Sequence, residues 1–320
     1  MLTRTIIFPC IFTSESFQSP SVTLLQDILK SGVIFLDYDD KMWNEILKNI
    51  GNWNQDFKKE VQKILEQLDK NKRIVRLSIS EQIYNSCNNP LIGDCENQIQ
   101  TDKDFFALVA LRRECVIPKT INQKLTTIDK YVLSKLRDSL NTSGFVLSSS
   151  EWRQDDFEKK ILIPLFRDAK HIKVFDRWIG RSVPQGQSHH QATLWWLVEV
   201  FQKFATIRTD TIFEVYCGID CRKLTQAKIS GAVKTLRQFE AEMIKLFPYF
   251  KLFIKNEVSG NQLPHDRYLI TNQTAIYIGR GFDLFVDTKE SYPRRIKDVQ
   301  IGYCSNPEKV EPFYRKLPDL

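Results

Sequence analysis

The chain has 320 residues, 42% hydrophobic and 27% charged, a composition that excludes a disordered protein. Its length admits two domains, each with its own core. Lysine and arginine outnumber aspartate and glutamate 46 to 39, and the net charge of +7 suits a polyanionic partner such as nucleic acid or an anionic membrane surface.

No stretch approaches the roughly 20 apolar residues of a membrane-crossing helix. Residues 6–12, interrupted by Pro9, are short for a signal peptide and lack a small-residue cleavage site. The seven cysteines form no Cys-x-x-Cys pair, and Cys217 and Cys221 have no second ligand pair nearby. These features describe reduced thiols in a cytoplasmic protein.

Residues 5–13 read as a first strand, 21–30 as the helix behind it and 33–36 as a short buried strand. This β-α-β order predicts a parallel pair. Asp37, Asp39 and Asp40 cluster at the carboxyl end of that strand, either as ligand-facing acids or as a solvated turn before a helix over 41–50. A second amphipathic helix follows over 54–71, with Phe57, Val61, Ile64, Leu65 and Leu68 on one face, then a strand over 73–77. Thr101 reads as the cap of a helix over 101–110 whose first turn carries Asp102 and Asp104, after Asp94 in the preceding segment. A strand over 114–117, a helix over 121–140 and a last strand over 145–147 complete an α/β domain of residues 1–150. Acids entering a helix before a strand such as Glu114-Cys115-Val116-Ile117 faintly resemble PIN-type nucleases. That resemblance implies a Mg²⁺ site built from Asp37, Asp94, Asp102 and Asp104.

Residues 151–320 form a second domain in this reading. An amphipathic helix over 157–170 leads to a strand ending at Asp176-Arg177-Trp178-Ile179, and a polar loop spans 181–191. His189 and His190, adjacent on a helix, do not share a face and make a poor metal pair. Helices over 193–205 and 223–245 alternate with strands over 211–217 and 250–255. The chain then reaches His265-Asp266-Arg267-Tyr268-Leu269-Ile270-Thr271-Asn272 and Ala275-Ile276-Tyr277-Ile278-Gly279-Arg280-Gly281. These two runs read as a hairpin. On a strand His265 and Arg267 would share a face, side by side for a phosphate, and the glycines would let backbone amides approach an anion.

The spacing His265-x-Arg267-x4-Asn272, followed by a glycine-rich turn, resembles the phospholipase D superfamily signature His-x-Lys-x4-Asp. Arginine replaces lysine, which keeps the charge but not the geometry, and asparagine replaces the aspartate. The variant is similar to the branch typified by the MIT C-terminal domain, whose Asp-Pro-Tyr-Ile element corresponds to Asp176, Trp178 and Ile179 here. The resemblance implies a mixed sheet flanked by helices. It also implies a site of His265, Arg267 and Asn272, with Asp176, Trp178, Gly279, Arg280 and Gly281 binding substrate. No cofactor is implied. In its enzymatic form His265 attacks phosphorus and Arg267 stabilises the developing charge. No second copy of the full pattern occurs, so a homodimer would be needed to pair two motifs.

Three readings follow. The first is a phosphodiester-engaging nucleic-acid-binding protein or nuclease, with microbial antiviral defence as its context by analogy. The second is a non-catalytic module that senses phosphate, phosphoinositide or nucleic acid. The third is a metal-dependent nuclease that uses the N-terminal acids.

Overall fold

The computed structural model describes residues 2–37, 39–77, 106–111, 125–141, 144–148, 150–205, 210–257, 263–279, 281–304 and 307–320. The chain divides into two compact units, Met1–Thr142 and Ser143–Leu320. Both are α/β.

The first unit is built on a parallel sheet of order β3-β2-β1-β4-β5. Its strands are β1 (Thr3–Ile7), β2 (Gly32–Asp37), β3 (Ile74–Leu77), β4 (Phe106–Ala110) and β5 (Leu125–Thr127). Helices α1 (Gln18–Ser31), α2 (Lys41–Gly51) and α3 (Gln55–Lys70) fall where their amphipathic spacing predicts. Asn54 caps α3 by accepting the Asp56 amide.

Three local expectations are corrected here. The first strand stops at Ile7, because Pro9 cannot continue a ladder and opens a 3₁₀ turn over Pro9–Phe12. Residues 106–110 form β4, not a helix, since Phe-Ala-Leu-Val-Ala is a continuous apolar run held between β1 and β5. Such a run fits a buried parallel strand as well as a buried helix, and periodicity does not separate them. The helix expected over 121–140 is instead β5, a 3₁₀ segment Ile128–Leu133 and a short α4 (Lys135–Asn141).

In open parallel sheets ligands favour the carboxyl ends at the point where strand order reverses. Here that point lies between β1 and β4, and the 3₁₀ turn beside it is apolar. Ile11 and Phe12 are buried, and the Trp53 indole donates to the Phe12 carbonyl at 2.7 Å. Asp40 is tied to Arg76 at 2.6 Å. Asp94, Asp102 and Asp104, and the strand expected over 114–117, lie outside the described residues. Among the described residues no group of three or more His, Cys, Asp or Glu side chains is arranged to hold a metal.

A buried carboxylate joins α1 to the following elements. Asp27 pairs with Lys30 at 2.8 Å, accepts the Tyr131 hydroxyl at 2.9 Å and meets Arg137 Nε at 3.3 Å. Burial alone pushes this carboxyl up, but the hydrogen bonds and the Lys30 charge outweigh it and hold it below its ordinary 3.8. A carboxyl lowered in the folded state stabilises above its unfolded value and loses that contribution as pH falls. Asp27→Asn is therefore expected to lose about 2 kcal/mol at pH 7. In urea melts the gap to the parent should narrow below about pH 4; a gap of undiminished size at pH 3 would assign the loss to packing instead.

The second unit holds a mixed sheet of order β6-β12-β11-β10-β7-β8-β9. Its strands are β6 (Gly144–Leu147), β7 (His171–Phe175), β8 (Ile212–Ile219), β9 (Phe250–Asn256), β10 (Arg267–Thr271), β11 (Ala275–Ile278) and β12 (Val299–Tyr303). β7, β8 and β9 are parallel, and the remaining pairings are antiparallel. The strand at 145–147 thus belongs to this sheet, through β12, rather than closing the first domain. The division between units falls at 142/143, within about ten residues of the expected boundary at 150. A four-residue strand carries no local mark of its partner, so only long-range pairing decides its allegiance.

Helical turns cover Gln154–Phe166, with α5 (Gln154–Phe157) and α6 (Ile163–Phe166) flanking a π-helical turn. They are followed by α7 (Arg177–Ser182), α8 (His189–Phe204), α9 (Gln226–Leu246) and α10 (Glu311–Arg315). The polar loop expected over 181–191 is thus largely helical, and α8 starts at His189. On one face Phe175, Tyr216 and Phe253 stack across β7, β8 and β9 with ring centroids 4.7 and 4.5 Å apart, and Tyr314 of α10 closes over them. On the other, Phe213 and Phe250 meet Phe201 of α8 and Phe239 of α9. These aromatic contacts bury large areas in fixed geometry and hold the strand ends in place.

Candidate functional site

The carboxyl ends of β7, β8, β9 and β11 and the amino end of β10 share one edge of the second sheet. Asp176 follows β7 directly and caps α7. Its Oδ1 accepts the Trp178 amide at 2.9 Å, and its Oδ2 accepts the Phe282 amide at 3.0 Å. The β7–β10 register sets Tyr268 opposite Phe175, so Arg267 falls beside Asp176, with Nε 3.7 Å from Oδ1. Arg267 Nη1 also donates to the Gly279 carbonyl at 2.8 Å. Burial lifts the Asp176 carboxyl above its ordinary range, and the Phe282 amide, Arg267 and the Trp178 amide only partly offset this.

Two further arginines come from α7. Arg177 is buried and donates from Nη1 to the Leu263 carbonyl at 2.9 Å. Burial, and then the charge of Arg181, make its guanidinium easier to deprotonate than usual. Arg181 makes a two-pronged ion pair with Glu257, which follows β9 and is fully buried, its Nε donating to Oε1 at 2.9 Å. Both guanidiniums lie 5.7 Å from the Trp178 ring centroid, and that ring is 39% exposed. The edge therefore gathers three guanidiniums, two buried carboxylates and one open aromatic face. α7 reaches it because Gly180 lies against β8, where a Cβ would come within 2.5 Å of the Gly218 carbonyl oxygen.

The residues expected at the site separate into two groups. Asp176, Trp178, Arg267, Gly279 and Gly281 meet at this edge. His265 precedes β10 rather than lying on it, so the same-face argument of a strand does not apply, and its side chain is exposed. Asn272 does not join them. It sits past the other end of β10, about 16 Å from Arg267 at the rise of a strand. There its Oδ1 accepts the amides of Lys170 at 2.7 Å and His171 at 3.2 Å, the work of a turn residue. The side chains of Asp37 and His189, and the whole of Arg280, lie outside the described residues.

The glycine turn has a different role from the one its composition predicts. The Gly279 and Gly281 amides already donate to the Gln300 and Ile278 carbonyls at 2.8 and 3.0 Å, so neither is spare for an anion. Gly281 has φ +79°, and a Cβ there would meet Asp176 Oδ2 at 2.6 Å and Arg267 Nε at 2.9 Å. The turn makes room for the Asp176–Arg267 pair.

Arg177, Arg181, Glu257 and Tyr314 escaped the sequence reading. Arg177 and Arg181 stand at i and i+4 directly after a strand-end aspartate, a spacing that was available as a signal. Glu257 and Tyr314 carried none, since their places depend on sheet order. The sequence also contains a His-x-Lys, His171-Ile172-Lys173 in β7. It lies at the opposite edge, where Lys173 pairs with Glu311 at 2.7 Å.

No protein-family model matches the chain, and no curated protein matches it. No helix among the described residues is long and apolar enough to cross a membrane.

Proposed function

We propose that the second unit binds nucleic acid through a phosphate-directed site at the carboxyl edge of β7, β8 and β9. The observation that carries this reading is the exposed Trp178 ring, with the Arg177 and Arg181 guanidiniums each 5.7 Å from its centroid, next to the Asp176 that pairs with Arg267. Every base has a π-face that stacks on indole, and guanidiniums take phosphate oxygens, so the combination favours a strand with unstacked bases. An anionic lipid headgroup offers the phosphate but nothing for the ring. The positive net charge of the chain supports the same class of partner.

The phospholipase D-like form of this reading adds hydrolysis through exposed His265, paired across a homodimer. Binding does not require it. Fluorescence anisotropy with labelled single- and double-stranded DNA and RNA tests the proposal. Affinity should fall with salt, and Trp178→Ala should weaken single-strand binding roughly tenfold or more. Capture by anionic vesicles but not by oligonucleotides would sink the nucleic-acid assignment. The same mixtures, run with and without EDTA, report cleavage. Resistant cleavage lost in His265→Ala supports the phospholipase D-like form. Sensitive cleavage that survives that change moves the chemistry to the N-terminal acids and Mg²⁺.

A further inference from the structure

We propose that this edge receives the terminal phosphate of a nucleic-acid strand rather than an internal phosphodiester, an inference that rests on the nucleic-acid reading above.

Two buried donors lie at this edge. Arg177 is only 6% exposed, and its Nε has no hydrogen-bond partner, although Nη1 is anchored on the Leu263 carbonyl. Tyr314 is 0% exposed, and its hydroxyl also has no partner, although its ring is fixed at 5.1 Å from Phe175 and 6.1 Å from Tyr216. Leu263 packs in the same cluster as Tyr314, Phe175 and Tyr216, which brings the two donors to one part of the edge. Arg267 Nε, 3.7 Å from the Asp176 carboxylate, makes no hydrogen bond either. A buried donor without an acceptor costs about 1–3 kcal/mol, and a fold that holds several together favours an acceptor placed among them.

The burial of these donors selects the form of that acceptor. An internal phosphodiester has sugar on both sides and two non-bridging oxygens, so its chain must run past the site along the surface. A terminal phosphate has one ester link and three acceptor oxygens, carries about −1.5 to −2 charges at pH 7, and enters head first. The open Trp178 ring, 5.7 Å from the Arg177 guanidinium, then lies where the first base of the strand can stack. The neighbouring chemistry is compatible. Burial, with the charges of Asp176, Cys217 and Glu257, holds the Tyr314 hydroxyl far above its ordinary range, so it stays a donor.

The test uses the full chain and single-stranded DNA 12-mers bearing an internal dye. Their ends carry a 5′-phosphate, a 3′-phosphate or only hydroxyls, and a circular single strand of the same composition has no end at all. One phosphorylated form should bind at least tenfold tighter than the hydroxyl-ended strand, and the circle no tighter than the latter. Tyr314→Phe removes only an unpartnered hydroxyl, so it should leave the melting temperature unchanged or raised. It should also reduce the preference for a phosphorylated end severalfold. Equal binding of circle and phosphorylated strand, still weakened by Trp178→Ala, overturns end recognition and leaves nucleic-acid binding standing. A preference untouched by Tyr314→Phe and by Arg177→Lys overturns the assignment to these donors. Failure of every oligonucleotide to bind overturns both proposals.

Discussion

Glu257→Ala is expected to lose about 4 kcal/mol of stability in chemical denaturation. The carboxylate is fully buried, and its main partner is Arg181, whose guanidinium reaches both of its oxygens. Removing the acid leaves a mostly buried positive charge against Arg177, another buried guanidinium, with which it already interacts unfavourably. The loss is therefore larger than the net worth of the ion pair, because the stranded charge pays its desolvation without return. Replacing both partners with apolar residues, Arg181→Leu with Glu257→Leu, should recover most of the loss. A double variant as unstable as the single one would show that the pair acts through packing of its stems rather than through its charges. In either case the gap should be visible at neutral pH in the intact chain.

The second large effect is expected at Gly281. With φ at +79°, an L side chain there costs about 1–2 kcal/mol in backbone strain alone. The added methyl would also press on Asp176 Oδ2 and Arg267 Nε, at 2.6 and 2.9 Å. Neither neighbour yields freely: Asp176 is held by two backbone amides, and Arg267 by the Gly279 carbonyl. Gly281→Ala should thus lose about 3 kcal/mol. Its binding defect should match that of Arg267→Ala, since both disturb the same pair. Gly186 supplies the comparison. It also has positive φ, but a Cβ there meets nothing within 4 Å, so Gly186→Ala should show the strain without the clash. Equal losses at the two positions would remove the case for crowding at the Asp176–Arg267 pair.

Much of the scaffold is legible in local patterns. The amphipathic spacing of residues 55–70, the Ser31-Gly32 stop and the turn between the two arms of the hairpin all reflect forces that act within one element. The β1–β2 parallel pair follows from the short return through α1. Asp176 as a strand-end residue is also legible, because a turn-forming aspartate after an apolar run marks a strand's end, whereas the helix that it caps shows only in the fold.

Other features needed the assembled sheet. Phe106–Ala110 is a strand because β1 and β5 lie on either side of it, and Gly144–Leu147 belongs to the second unit because β12 accepts it. Asn272 matched a signature by spacing, yet the direction of β10 carries it to the far edge, where it ties a turn. Glu257 and Tyr314 reach the site from positions 81 and 138 residues beyond Asp176, counting 257 − 176 and 314 − 176. A strand's own pattern states which face is buried, but not which strand lies beside it or which ends align. The sequence by itself thus determined the α/β class, the amphipathic helices α1, α2 and α3, the strand end at Asp176 and the hairpin that carries Arg267. Strand order and register, set by long-range pairing, decided which charges share an edge and which donors are buried there.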